Sequence, residues 1–248
     1  MNNNKKSVRI DNKSMRIDNK SARIVGILFI IGTVAGVSSV PLLSPRTAPD
    51  FLAEIAANQN TYTLGAMMVL AMGFSLALVP AFMFPILKRH SEAFGIGYVI
   101  FRGATETVTY IIQAVCFLSM AILGTEYVAG GQNAAQLQSM GVLLKEITEL
   151  PIGKLVFGIG ALILYFALYR YELVPRWIPV FGIAGIILHI ASGLLVLLGL
   201  QENFDTASLI MNLPIAVQEM VMAVWLIIKG FRSIEQPTPA DNRQASTA

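Results

Sequence analysis

The chain has 248 residues, 55% of them hydrophobic and only 13% charged, with a formal net charge of +3 and a mean hydropathy of +0.64. Soluble domains carry about 25% charged residues, so this sequence has about half the charge needed to cover a water-exposed surface, and a soluble fold is excluded. One cysteine, Cys116, and two histidines exclude a disulfide framework and the Cys/His zinc modules, and no cofactor or nucleic-acid partner is implied.

In chain order, the first feature is a repeat. Lys-Ser-x-Arg-Ile occurs three times at seven-residue spacing, starting at Lys6, Lys13 and Lys20. The first two copies close with Asp11-Asn12 and Asp18-Asn19, whereas the third runs from Arg23 into an apolar stretch that continues to Leu43. Residues 1–23 are therefore expected to form a basic cytoplasmic arm. It would anchor the inner end of a first span and be drawn to anionic lipid by about 1 kcal/mol per charge near the surface. A duplication without a role is the competing reading.

Six apolar segments reach the roughly 20 residues that a span requires: Ile24–Leu43, Leu64–Leu87, Ile96–Gly124, Ile152–Tyr171, Trp177–Leu200 and Ser208–Gly230. Lipid offers backbone groups no partner, so each must be a helix or part of a closed barrel. The segments are too long and too continuously apolar for barrel strands, which alternate. With the N-terminus inside, the inner side holds the seven basic residues of the arm and Lys88, Arg89, Arg170, Arg176, Lys229, Arg232 and Arg243. The outer side holds Arg46, Lys145 and Lys154, and Arg102 lies within a span. The positive-inside rule is thus met at every loop, with both termini cytoplasmic.

Between the spans, residues 49–56 carry an N-terminal Pro/Asp signal and helical apolar spacing, which predicts a short helix on the outer surface. Asn133–Glu149 places Leu137, Met140, Leu143, Leu144 and Ile147 on one broad face, as an interfacial helix or a lid would. Gly32 and Gly36 form a small-residue packing motif. Gly185, His189 and Gly193 put the imidazole on a small-residue face pressed against a neighbour. Tyr171, Trp177, Trp225 and Phe231 suggest an inner aromatic belt. Residues 232–248 read as a polar, disordered tail. The Gly-Ile-Gly pieces at 95–97 and 158–160 follow no strand and are not nucleotide fingerprints.

Intramembrane charge is costly, and its default reading is functional. The third span sets Arg102, Glu106, Thr109, Gln113, Cys116 and Met120 along one helix face. The sixth carries Asn212, Gln218 and Glu219, with Pro214 loosening a turn, and the fifth carries His189. At 1.5 Å per residue, Glu106, His189 and Glu219 come out about 15–18 Å from the inner edge, near the midplane of a core about 30 Å thick. Arg102, Glu106 and Glu219 sum to −1 if all are ionised. One carboxyl then holds a proton, or His189 is charged, or a cation completes the site. Glu106, His189 and Glu219 are weak candidates for metal ligands, with no H-E-x-x-H spacing to support them, and no G-x-S-x-G elbow offers a nucleophile.

Four stretches, "RIVGILFIIGTVAGVSSVPLL", "FPILKRHSEAFGIGYVIFRGATE", "LYRYELVPRWIPVFGIAG" and "LPIAVQEMVMAVWLIIKGF", resemble the bacterial and archaeal membrane family known as domain-of-unknown-function family 4386. The resemblance runs from Arg23 to Phe231, includes Arg102 with Glu106 and the Gln218-Glu219 pair, and leaves out the repeated arm. It implies a six-span integral membrane protein and no assigned activity.

The expected architecture is a single-domain, all-α bundle of six transmembrane helices over residues 24–231, in the cell (plasma) membrane. Three functions are carried forward: a small transporter-like or proton-responsive protein centred on Arg102, Glu106, His189 and Glu219; a non-catalytic scaffold or assembly partner in which the same residues only hold helices together; and a metal-dependent intramembrane enzyme.

Overall fold

A computed structural model describes residues 2–43, 50–130, 133–203 and 205–232, with side chains from Asp18 onward. The described residues are mostly helical, and none of them is in a strand. Helix α1 spans Asn2–Leu42, α2 Phe51–Ala57, α3 Gln59–His90, α4 Glu92–Tyr98 and α5 Glu106–Val128, with a π-helical segment at Val99–Thr105 between the last two. Helices α6 (Ala134–Glu149), α7 (Ile152–Arg170), α8 (Trp177–Leu197) and α9 (Thr206–Ile228) complete the chain. Among the described residues, six stretches are long and apolar enough to cross a membrane: Asp18–Leu42, Gln59–His90, Glu92–Val128, Ala134–Arg170, Trp177–Leu197 and Thr206–Ile228. The third and fourth are longer than their sequence bounds, because α4 joins α5 through the π segment and α6 runs into α7 across Leu150 and Pro151.

The six spans form a closed ring. Helix α1 packs on α3, α3 on α5, the π segment on α7, α7 on α8 and α8 on α9, and α9 returns to α1. Small residues set the approach distances. Gly32 and Gly36 both face α3, at Leu76 and Met72, and Gly26 faces Ala223 and Ile227 of α9. Apolar side chains such as Ile31, Val34, Val108, Ile112, Leu209 and Leu213 stand exposed around the outside, where lipid tails would solvate them.

Where the third repeat copy was expected to lie in a surface arm, it joins the bundle. Ala22 is fully buried with Val25 and Phe29 on the same helix face. Asp18 pairs with Arg89 at the C-terminal end of α3, its Oδ2 accepting from Nη1 at 3.0 Å, and Asn19 lies against Gly230. Gly230 has φ +71°, the left-handed conformation that ends a helix without a Cβ penalty. The side chains before Asp18, the loop with Arg46, and the tail from 233 onward lie outside the described residues.

Helix α2 forms where the short helix was expected, with Glu54 and Ala57 exposed. Its apolar face is fully covered: Phe51, Leu52 and Ile55 are buried, because Gly124 of α5 and Gly141 of α6 leave room for them. A Cβ at Gly124 would stand 2.7 Å from the Leu52 carbonyl oxygen. Helix α6 lies along α5, tied near its C-terminal end by Gln113 Nε2 donating to the Thr148 carbonyl at 3.4 Å and packed at its middle, through Gly141, against α2. The aromatic belt is also partial: Trp177 is exposed, but Phe231 is buried and Tyr171 stacks on His90 at 4.7 Å.

The charge placement predicts a definite sidedness. In a Cys116→Ser background, single cysteines replacing Ala129 and Glu202 are expected to react with an impermeant maleimide from outside intact cells. Those replacing Glu92 and Arg176 are expected to react only after permeabilisation. Two consecutive loops labelling from the same side would refute the alternation.

Candidate functional site

Arg102 sits in the middle of the π-helical segment. There the backbone bonds reach one residue further than in an α-helix, a distortion common at working sites, and Thr105 Oγ1 donates to the Ile100 carbonyl at 2.9 Å. Gly160 of α7 comes so close that a Cβ on it would stand 3.2 Å from the Arg102 amide nitrogen. The absent side chain at Gly160 therefore lets α7 seal one wall of the site.

The guanidinium engages two acids from two helices. Its Nη1 donates to both oxygens of Glu106, at 3.0 and 3.1 Å, and its Nη2 donates to Oε1 of Glu219 at 3.1 Å. Tyr110, one turn beyond Glu106, donates its hydroxyl to Glu106 Oε1 at 2.8 Å. Aromatic rings from two further helices flank the guanidinium, Phe157 of α7 at 4.6 Å and Phe29 of α1 at 5.5 Å. Both lie within cation–π range. Arg102 and Glu106 are 2% and 1% exposed and Glu219 is 14% exposed, so Glu219 is the acid nearest to a route out. Fully ionised, the three groups carry −1 in a site with almost no water contact, and an uncompensated buried charge is strongly destabilising. The arrangement is one that a single added proton brings to neutrality.

The predicted stripe on the third span divides by role. Thr109 turns its hydroxyl to the Glu106 carbonyl at 2.7 Å and serves its own helix. Gln113 ties α5 to α6, and Cys116 and Met120 are buried. On α9, Gln218 is fully buried and donates to the Ile178 carbonyl at 3.2 Å, a tie between α9 and α8. Asn212 lies a turn beyond Ser208, donating to its Oγ at 3.3 Å.

His189 is not part of the carboxylate group. Its ring stands edge-on to Phe157 at 5.0 Å, and neither ring nitrogen has a hydrogen-bond partner among the described residues. Residues at four-residue spacing drift about 40° per step around a helix of 3.6 residues per turn, so Gly185, His189 and Gly193 do not press on one neighbour. Gly185 meets Pro214 and Ile215 of α9, while Gly193 meets Lys154 and Leu155 of α7. Glu106, Glu219 and His189 accordingly do not gather into a three-ligand cation site, and among the described residues no set of three His, Cys, Asp or Glu does.

Sequence reasoning missed Tyr110, Phe29 and Phe157. Tyr110 was detectable, since it follows Glu106 by one turn on the same face. It also missed Lys154, which was counted as an outer loop charge. Its Nζ instead donates to Ser208 Oγ at 2.9 Å and to Ser192 Oγ at 3.5 Å, between α7, α8 and α9.

Removing Arg102 alone leaves two buried acids facing each other without their partner, and breaking a buried pair costs about 3–5 kcal/mol. Arg102→Met is therefore expected to lower the folded yield and melting temperature of the purified protein. Adding Glu106→Gln should restore part of the loss, and adding Glu219→Gln as well should restore most of it. A double variant as stable as the triple would show that Glu219 contributes nothing to the tie. Gly160→Ala, which drives a methyl into the Arg102 backbone, should cost about 1–3 kcal/mol by overpacking, read from thermal unfolding.

Neither a curated protein nor a solved structure matches the chain. Residues 24–230, which take in the helix ring from within its first span onward, match the model described as "Domain of unknown function (DUF4386)", and the chain belongs to that family.

Proposed function

We propose that this multi-pass membrane protein is transporter-like and proton-responsive, with Arg102, Glu106 and Glu219 as its working centre. The observation that carries the reading is the sharing of one buried guanidinium by two acids, one on its own helix and one on α9. Glu106 is held by both oxygens and by Tyr110. Glu219 is held by one oxygen and is the more exposed. A proton arriving from water therefore lands on Glu219, neutralises the site and weakens the Nη2 bond, leaving Arg102 paired with Glu106. What changes is the attachment of α9 to the third span, so a charge event at the centre becomes a movement of one helix. The bias of Lys and Arg toward one set of loops supports both termini on the cytoplasmic face of the cell membrane. It also supports contact between the basic N-terminal residues and anionic lipid.

The competing reading, a scaffold in which the triad is only an inter-helix clamp, is favoured by the direct tie the guanidinium makes between its own span and α9, with Nε alone left without a partner among the described residues. Glu219→Gln separates the two because it keeps shape while removing the ionisable group. In nanodiscs, the tryptophan fluorescence of the native protein, reporting through Trp225 on α9, should show a reversible transition with pH that Glu219→Gln abolishes without changing the melting temperature. A native protein whose emission is flat with pH, or a variant that keeps the transition, would leave the scaffold.

A further inference from the structure

Helices α1 and α9 run antiparallel, and their contacts fix the register: Asn19 lies against Gly230, and Gly26 against Ala223 and Ile227. A step of seven residues, about 10.5 Å along each axis, carries these pairs to Thr33 opposite Ala216 and then to Val40 opposite Leu209. The ring is sealed along one half of this seam and open along the other. Gly26, Ala223 and Gly230 are buried, whereas Ala216 is exposed. Val40 is 49% exposed, Leu209 57% and Val37, on the same side of α1, 66%. The cause lies in the other neighbours. Toward its C-terminus α1 leans on α3, with Gly32 against Leu76 and Gly36 against Met72. The N-terminal half of α9 leans on α8, with Pro214 and Ile215 against Gly185 and the Ser208 hydroxyl 3.0 Å from that of Ser192. The two helices therefore diverge into a cleft.

Glu219 stands at the bottom of this cleft. It shares a helix face with Ala216 one turn before it and Ala223 one turn after it. On the C-terminal side, Met222, Ala223 and Leu226 are at most 1% exposed. On the N-terminal side, Ala216 is exposed and Asn212 is half-buried, so the exposed part of Glu219 is reached from the cleft. Its Oε1 holds Arg102, while its Oε2 takes no hydrogen bond from a described residue and remains accessible. The other ionisable groups around it do not compete for this place. Arg102, Glu106, Tyr98 and Tyr165 are at most 2% exposed, Tyr110 is committed to Glu106, and His189 lies against the Phe157 ring. Glu219 is thus the charge that the cleft presents. Along the walls, Val37, Val40, Leu209 and Ala216 are apolar and Thr33 is neutral.

We propose that the cleft between α1 and α9 binds a lipophilic organic cation, its single positive charge on Glu219 and its apolar body between the two helices. Fully ionised, the triad is one positive charge short of neutrality, and a monovalent cation at the free oxygen supplies it. The walls select which cation. A hydrated inorganic ion would give up its water to surfaces that offer no hydrogen bonds in return, whereas an apolar body loses nothing there. The inference rests on the triad as the working centre and names the class of its cargo: proton and organic cation are alternatives for one carboxylate.

The probe is radiolabelled tetraphenylphosphonium, equilibrated with the full chain in phosphatidylcholine nanodiscs, with the uptake of empty nanodiscs under the same additions subtracted. Native protein should bind it saturably. Decyltrimethylammonium should displace it, whereas decyl sulfate, with the same chain and the opposite charge, and sodium at matched ionic strength should not. Glu219→Gln should weaken binding at least about tenfold. Should Glu219→Gln not fold, Ala216→Phe, at an exposed position, fills the cleft while leaving the triad in place, and should weaken binding several-fold. The site is overturned by no saturable uptake, by displacement with decyl sulfate or sodium as strong as with decyltrimethylammonium, or by binding unchanged in either folded variant. A fluorescence transition with pH but no uptake would refute the cargo alone; uptake without that transition would refute the proton reading and leave the site standing.

Discussion

Everything in the ring is organised around one guanidinium. Arg102 reaches Glu106 on its own span and Glu219 on the sixth, lies under Phe157 of the fourth and near Phe29 of the first, and its backbone rests on Gly160. An arginine suits this place because its planar fork can give separate nitrogens to separate acids and still stack on rings, which an ammonium cannot do. The π-helical segment supplies the position: a local widening that turns one long polar side chain into the centre without breaking the span. A centre held from four sides transmits any change in its charge to all of them.

Much of this was legible in the sequence, and for a physical reason. A bilayer allows so few backbone solutions that apolar length and Lys/Arg counts settle span number and class. The i,i+4 spacing of Arg102 and Glu106 was sufficient to pair them, since both contacts lie on one helix. What failed were inferences across helices. His189 stood at the right depth but faced α7 instead of the acids, because depth along a span is additive in sequence while rotation depends on neighbours. Lys154 looked like a loop charge because α7 begins only two residues earlier, and the α6 helix that carries the chain past that point is too polar to be marked as a span. The burial of α2 depended on Gly124 and Gly141, two glycines far apart in the chain whose relevance appears only once they face the same helix.

The closing of the ring by α9 against α1 has a consequence for biogenesis. The first span leaves the ribosome without its final neighbour, and the seam made by Gly26, Asn19 and Gly230 can form only when the last segment has been threaded. Until then Arg102 enters the bilayer with Glu106 as a neutral couple on one helix, which is the least costly way to deliver a charge into hydrocarbon. Glu219 comes in on the last helix, and its arrival both completes the triad and latches the ring. A chain interrupted before α9 would present an open seam and a guanidinium with one arm unbound, a signature by which membrane quality control could tell an unfinished molecule from a finished one.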